Sequence, residues 1–438
     1  MTTRTQNRFA HTYTLLRKAL PDEPGWLSEL RDEAFENFKA LGLPTVKHEE
    51  WRWTNLKRIA DTDFVPAELA EVSEAQLAKY LIEDADEIRL VFVNGHFADK
   101  LSKLPTIPDG LVIEPISRVL GSDEGLQVKL GRFAEPTQPF TALNTALFTD
   151  GAYIRAGNSL TIQTPIHVLY VSTDSDAPAV SSPRTLVLAG ESSELRVIES
   201  FVGHGNSPRL VNSVTEIVAK GNAAVRHVKL LRESDGTSHL GWTELNVERD
   251  ANVSSHSINL DAGLARNDVH AVLAAEGANC SLNGLVLGRD RQHFDNHIVV
   301  DHVRPHGTSS QLYRAVVDDK SRSVFAGKVI VRQGAHGTDA QQQNNNLLLS
   351  NDAKVDTKPQ LEIYTDDVKC SHGATSGQLN PEAIFFLRCR GLDETHARNL
   401  LTYAFANNVI EHIKIDPVRL ALEKLLTERF AGLLGGSP

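Results

Sequence analysis

Two hydrophobic periods divide this chain. Up to about residue 85 the apolar positions recur at helical spacing. After Pro24, the side chains Trp26, Leu27, Leu30, Ala34, Phe35, Phe38 and Leu41 return on one face, and Gly42 stands where a helix C-terminus favours glycine. Residues 87 to about 150 are mixed: Ile88-Arg-Leu-Val-Phe-Val93 reads as a strand and Asn94-Gly95 as a turn. From about 155 to 378 the texture changes to short β-type runs separated by Gly, Asn, Asp and Ser. Thr243-Glu-Leu-Asn-Val-Glu248 alternates, with Thr243, Leu245 and Val247 on one face.

These runs repeat. Ala189-Gly-Glu-Ser-Ser-Glu-Leu-Arg-Val197 is similar to Lys220-Gly-Asn-Ala-Ala-Val-Arg-His-Val228, and both are similar to Arg249-Asp-Ala-Asn-Val-Ser-Ser-His256 and Glu276-Gly-Ala-Asn-Cys-Ser-Leu282. The turn positions Gly190, Gly221, Asp250 and Gly277 are 31, 29 and 27 residues apart. A turn returning at nearly constant period implies a coil of strands in which each rung stacks on the last. No long helical segment separates the strands, so a β-helix fits better than a doubly wound sheet; a two-sheet sandwich is the competing arrangement. Gln341-Gln-Gln-Asn-Asn-Asn346 has the composition of a disordered tract. Because Leu347-Leu-Leu349 follows at once, it reads better as a strand whose amides stack on neighbouring rungs.

After residue 380 the helical period returns. Asn380-Pro381 supplies an N-cap and a proline at the first helical position, Gly391 ends that helix and Asp393 caps the next. Ala397, Leu400, Leu401, Ala404, Phe405 and Val409 form one stripe. Asp416-Pro417 opens a third helix with Val418, Ala421, Leu422, Leu425 and Phe430 on one side. Such stripes pack on the chain's own core or are presented to a partner. The expected organisation is an N-terminal helical and mixed region over 1–150, a β-helix core over 151–380 and a C-terminal helical domain over 381–438.

Composition narrows the function classes. The charge is 45 − 56 = −11, opposite to what non-specific nucleic-acid or membrane binding asks for. No apolar run approaches the roughly 18 residues that span a bilayer, and Met1-Thr-Thr-Arg-Thr-Gln is not of signal-peptide type, so a cytoplasmic location is expected. The three cysteines, Cys280, Cys370 and Cys389, are too few and too scattered for a disulfide framework. With no C-x-x-C, a self-contained cluster or zinc site is not expected either. Cys280 and Cys389 lie among apolar neighbours and read as core residues. No G-x-x-x-x-G-K-[ST] occurs, so no nucleotide is expected to bind this chain and no ATP to be hydrolysed by it. Nucleophile elbow and H-E-x-x-H are missing too.

The chemistry concentrates in Asp366-Asp-Val-Lys-Cys-Ser-His-Gly-Ala-Thr-Ser-Gly377, at the last rung before the helical tail. Cys370 and His372 are two apart, so in a strand they share a face and could bind one metal, with other ligand types or a second chain completing the site. Lys369 could lower the thiol pKa by its charge, and Asp366 or Asp367 could fix the imidazole tautomer. On spacing alone, a small buried cysteine beside a hydrogen-bonded histidine is the plainer reading. A second group is His293, His297, His302, His306 and His336. His293 and His297 share a strand face, where structural hydrogen bonds are commoner than a metal. His396, near a helix start, reads as a surface residue.

This stretch, extended to Lys358-Pro-Gln-Leu-Glu-Ile-Tyr-Thr-Asp-Asp-Val-Lys-Cys-Ser-His-Gly-Ala-Thr-Ser-Gly-Gln-Leu379, closely resembles the signature of the SufB/SufD family of iron–sulfur cluster assembly proteins. So do Ser323-Val-Phe-Ala-Gly327, Asn344-Asn-Asn-Leu-Leu-Leu-Ser350 and Phe386-Leu-Arg-Cys-Arg-Gly391. The likeness spans roughly residues 150 to 430; Ser376, where the family usually has Val, is a mild departure. Leu43-Pro-Thr-Val-Lys-His-Glu-Glu-Trp-Arg-Trp-Thr-Asn-Leu56 is similar to the SufD pattern, and the N-terminal cysteine cluster of many SufB proteins is not present. The resemblance implies a mainly β fold, a right-handed parallel β-helix core flanked by α-helical N- and C-terminal regions. It implies a non-catalytic scaffold subunit of the SUF complex. That subunit would pair with a SufB-like chain through the last β-helix rungs and bind a SufC-like ABC ATPase through the C-terminal helices. A transient iron–sulfur cluster would be shared at the SufB–SufD interface, with His372 and Cys370 the matching positions; it implies that His372 matters and that Cys370 need not. An exposed terminal rung would let the isolated protein form a homodimer. The alternatives are a SufB-like homodimeric scaffold and a β-helix carbohydrate-active enzyme. The latter class lines a groove with aromatics, and here aromatics are 6%.

Overall fold

A computed structural model describes residues 3–431. From Glu194 onward the strands fall alternately into two sheets. Glu194–Gly203, Ala224–Arg232, Asn252–Asp261, Asn279–Gly288, Thr308–Val317, Asp339–Leu348 and Lys369–Gly377 stack in one. Arg209–Ala219, Thr237–Val247, Leu264–Leu273, His293–His302, Arg322–Val331 and Lys354–Ile363 stack in the other. Each strand pairs in parallel with the strand two before and two after it, for example Glu216 with Glu244 and Ser254 with Ser281. This is a parallel β-helix. Two sheets do face each other, as in a sandwich, but they are wound as one coil.

The turns explain the period. Ser192, Asn222, Asp250, Gly277, His306, Gly337 and Asp367 all take positive φ, a conformation that Gly, Asn and Asp tolerate best. Each turn then stacks as the strands do: the N–H of Ser192 donates to Gly221 O, Asn222 to Arg249, Asp250 to Glu276, Gly277 to Pro305, His306 to His336 and Gly337 to Asp367. One such turn per rung fixes the repeat.

Inside the coil, alternate residues meet in a single apolar core. It runs from Ile88, Leu90 and Phe92 through Val197, Val225, Leu245, Val253 and Cys280 to Tyr313 and Phe325. The outer faces are covered by opposite ends of the chain. Thr3–Ala19, Gly25–Leu41 and Pro139–Leu147 lie against the second sheet, where Phe9, Phe35, Phe38 and Leu143 meet Leu210 and Leu240. Gly42 closes the second of these helices at φ 68°. Glu394–Ile410 and Asp416–Ala431 cover the first sheet, where Val409, Ile410, Val418, Leu422 and Leu426 meet Ile198, Val228, Ile258, Leu285 and Val316. The C-terminal apolar faces therefore pack mainly on the chain's own core.

Two expectations are corrected here. The buried face of Glu394–Ile410 is Ala397, Thr402, Ala406, Val409 and Ile410, whereas Leu400 and Ala404 point to solvent. Cys389 is exposed. The short helix before it, Pro381–Arg388, buries no residue, because it leaves the last strand and stands clear of the coil. Asn380 and Asp393 cap their helices through Glu382 N and His396 N. No described helix is long and apolar enough to cross a membrane.

The segment 43–56 is pinned to the outer face of the second sheet. Arg266 stacks 3.7 Å over the Trp51 ring and donates to Glu50 O at 2.6 Å and to Asp295 Oδ2 at 3.0 Å. His297 lies between Glu50 Oε2 at 3.2 Å and Asp295 Oδ1 at 3.0 Å. Burial alone would depress His297, but Asp295 and Glu50 outweigh it and raise its pKa to about 9. The hydrogen bond from His297 lowers Glu50 to about 2. A raised histidine stabilises the fold below its unfolded pKa of roughly 6.5 and loses that effect as pH climbs through the folded value. The lowered carboxylate stabilises above roughly 4.5 and loses it toward its folded value. Between these limits both act. Going from about pH 6 to about pH 9.5 is expected to cost on the order of 2 kcal/mol. His297→Gln should flatten that slope, as read from melting temperature against pH; an equal slope in the variant would refute the assignment.

Candidate functional site

Among the described residues, the terminal strand Lys369–Gly377 has a partner, Asp339–Leu348, on one edge only. Register sets which way its side chains face. Cys370 pairs with Ala340 and His372 with Gln342, both interior positions. Cys370 accordingly packs against the small apolar cluster of Val329, Val331, Ala335 and Ala340. Ser371 faces out and bonds Gln341. The two-residue spacing thus brings Cys370 and His372 to one side of the last rung. There the described residues place no further rung above it, and His372 is exposed.

The electrostatics differ from the sequence expectation. Burial, followed by the nearby Asp339, raises the Cys370 thiol pKa, so Lys369 does not activate it; Lys369 alternates to the other face. Asp366 and Asp367 sit exposed in the preceding turn. Among the described residues, no three of His, Cys, Asp and Glu are placed to hold a metal ion. This rung alone offers an imidazole and a half-buried thiol, to which further ligands would come from outside the chain.

Beneath it the Gln/Asn tract forms the expected amide ladder. Gln342 donates to Gln311 Oε1 at 3.1 Å. Asn346 donates to Asn344 Oδ1 at 2.8 Å and reaches up to Thr375 O at 3.1 Å. The five-histidine group divides among three places. His293 and His297 face the 43–56 segment, with His293 Nε2 2.9 Å from Thr54 Oγ1. His302 turns inward, bonds Ser309 at 2.8 Å and is pushed by burial down to about 4. His306 and His336 sit exposed in consecutive turns, ring centroids 5.4 Å apart. For His293 and His297, structural hydrogen bonding is what the fold shows.

Sequence reasoning missed the polar groups inside the wall. Three histidines each bridge a serine and an acid. His167 lies between Asp86 and Ser200, His239 between Glu233 and Ser213, and His227 between Glu199 and Ser255. The connectivity is that of a hydrolase triad. But Ser200, Ser213 and Ser255 are 2, 1 and 7% exposed, and no substrate carbonyl can reach a sealed hydroxyl. These relays satisfy buried polar groups. Lys229, stacked over Phe201 within the same interior, is lowered by burial to about 8. None of these groups carries a local signal, because the partners are mostly a rung or more apart.

Two further surfaces complete the picture. Phe385 and Phe386 on the protruding helix are 67% and 53% exposed. Phe385 also lines a cleft of about 510 Å³ between that helix and the end of the coil. A groove of about 1100 Å³ runs along the turns at Asp235, Asp290, Asp319 and Asp352 with Arg58, Arg291 and Lys320. It holds no aromatic ring on which a sugar could stack, which speaks against the carbohydrate-active alternative.

Comparison with known proteins gives a consistent result. Residues 170–405 match the family model for the SUF system FeS cluster assembly SufBD core domain, and residues 3–168 match that for the SufBD protein N-terminal region. A SufBD family protein of iron–sulfur cluster assembly from Synechocystis sp. is 32% identical, over 93% of this chain and 92% of its own. The iron–sulfur cluster assembly protein SufD of Escherichia coli is 31% identical, over 89% and 90%. SufD of Bacillus subtilis is 24% identical, over 93% and 94%.

Proposed function

From the premise that this chain belongs to the SufBD family of iron–sulfur cluster assembly proteins, we propose that it is a cytosolic SufD-type scaffold subunit of a SUF complex. In this reading it is non-catalytic, pairs with a SufB-like chain through its last rungs, and receives an ABC-type ATPase of the SufC kind at its C-terminal helices. The nascent iron–sulfur cluster is the cargo, built between the two scaffold chains, with His372 offering a ring nitrogen to iron and Cys370 beside it. In isolation a second copy can occupy the same edge.

The observation that carries this reading is the terminal rung. It presents a nine-residue strand with one unpaired edge and an exposed imidazole on its interior-facing side. An unpaired edge is a template for another chain's strand, and a neutral imidazole is a good ligand for iron. The protruding helix supports the ATPase half of the reading: exposed adjacent phenylalanines on an element that buries nothing in this chain suit a protein partner.

The test is purification of the tagged full-length chain from its native host. A SufB-like chain and an ABC-type ATPase are expected to come with it; recovery of the chain without either overturns the proposal. Phe385→Asp with Phe386→Asp should cut ATPase recovery by at least about tenfold. The melting temperature and the SufB-like partner should be retained. Undiminished ATPase recovery would refute the assignment of that helix.

A further inference from the structure

We infer that Gln342 is the positioning residue for His372. Its side-chain carbonyl accepts the imidazole N–H and so decides which ring nitrogen keeps a lone pair for iron. This rests on the reading of His372 as a ligand and names what that ligand requires.

Register places Gln311, Gln342 and His372 one above another on three successive rungs of the same sheet, about 4.8 Å apart per rung. Gln311 and Gln342 are each 3% exposed, so both amides are inside the coil. Gln342 Nε2 donates downward to Gln311 Oε1 at 3.1 Å. Its own Oε1 is buried and has no hydrogen-bond partner among the described residues. With the Gln342 N–H₂ committed to the carbonyl of the rung before, its own carbonyl is left for a donor from the rung after. That rung carries His372 at the matching position.

The opposite wall holds the amide in place. A Cβ at Gly327 would come within 2.4 Å of Gln342 Nε2. Glycine there leaves the space that the glutamine amide fills, across the interior from its own strand. The carbonyl is therefore a fixed feature, while His372 is exposed at the end of the coil and reorients by ordinary rotation about its side-chain bonds. Asp366 and Asp367, the sequence-adjacent acids, do not lie below the ring; Asp367 is in the turn, where its carbonyl accepts from Gly337 N at 2.8 Å.

The chemistry follows from acceptor type. A neutral amide carbonyl can only accept, so of the two tautomers of a neutral imidazole it selects the one with N–H inward and the other nitrogen's lone pair outward, toward the partner edge. A carboxylate in its place would also select that tautomer, but would favour the imidazolium as well, which has no lone pair to give.

The test compares the wild-type full-length chain with Gln342→Met, of similar length and without an acceptor, and Gln342→Glu, which keeps one. Histidine ring ¹⁵N NMR, with the His372 signals identified by their loss in His372→Ala, reads tautomer and pKa directly. The wild type should hold one tautomer and Gln342→Met should populate both. Gln342→Glu should restore the single tautomer and raise the His372 pKa by about one unit or more. In the reconstituted complex, cluster formation should fall about tenfold or more with Gln342→Met. An unchanged tautomer ratio and His372 pKa in Gln342→Met overturns the inference. A different result, tautomer control intact but cluster formation undiminished by His372→Ala, overturns the ligand reading and leaves the Gln342–His372 bond standing.

Discussion

Replacing Glu216 by alanine is expected to cost about 3–5 kcal/mol of stability, the largest loss that a single side chain should produce in this protein. Glu216 and Arg184 form an ion pair with both side chains fully buried, Arg184 Nη2 to Glu216 Oε2 at 2.7 Å. The pair lies on the outer face of the coil, beneath helix Pro139–Leu147. Glu216 also accepts the backbone N–H groups of Gly131, Phe133 and Ala134 at 3.3, 3.2 and 3.1 Å. Arg184 reaches Asn144 Oδ1 and Thr145 Oγ1 at 3.0 and 2.9 Å. Removing the carboxylate therefore strands a buried guanidinium and leaves three buried or half-buried donors unserved. Removing both charges, as in Arg184→Met with Glu216→Leu, takes away the uncompensated charge and should cost less than Glu216→Ala alone. Urea unfolding of the single variants and the double variant gives the comparison. A Glu216→Ala cost below about 1 kcal/mol would mean that the pair does not join the N-terminal region to the coil in the way the contacts indicate.

The difference between this pair and the turn ladder shows what the sequence could reveal. Gly190, Gly221, Asp250 and Gly277 recur because every rung turns at the same place on one residue of positive φ (Ser192, Asn222, Asp250 and Gly277), a local demand that writes itself into the chain at a nearly constant interval. The parity of Cys370 and His372, the cap residues Asn380 and Asp393 and the amide tract were legible for the same reason, since each is settled within a few residues. Arg184 and Glu216 are 32 residues apart. Their shared burial depends on a loop and a helix that arrive from elsewhere, so neither charge looks unusual in its own strand. Likewise the spacing of His293 and His297 places them on one face. It cannot say that the face is covered by Glu50 and Thr54, more than 200 residues earlier. Cys389 failed in the opposite direction. Its apolar neighbours Phe385 and Phe386 have the composition of a core, but a sequence does not distinguish an apolar face that is buried in its own chain from one left outside it.

The decisive functional expectation is that His372→Ala abolishes cluster-dependent growth while Cys370→Ser leaves most of it. Cys370 is half-buried against Val329, Val331 and Ala340, and burial raises its pKa, which disfavours the thiolate that binds iron. Serine fits nearly the same space, so the variant should keep its fold. His372 is exposed, and among the described residues no hydrogen bond to its ring is found. Its removal therefore breaks no hydrogen bond seen in the structure and at most the inferred one to Gln342 Oε1 at the open end of the coil, so the stability change should stay within about 1 kcal/mol. A purely structural histidine would behave otherwise, because its loss would strand a partner and lower the melting temperature together with the activity. For a ligand, even loss of an outer-shell partner lowers affinity on the order of 10–100-fold, so loss of the imidazole itself should reduce cluster formation at least as far. The measurements are growth under cluster limitation, recovery of the partner chains, and melting temperature, taken side by side for both variants. Full function in the His372→Ala strain would remove His372 from the site. A loss that only tracks falling stability or a dissolving complex would reduce it to a structural residue.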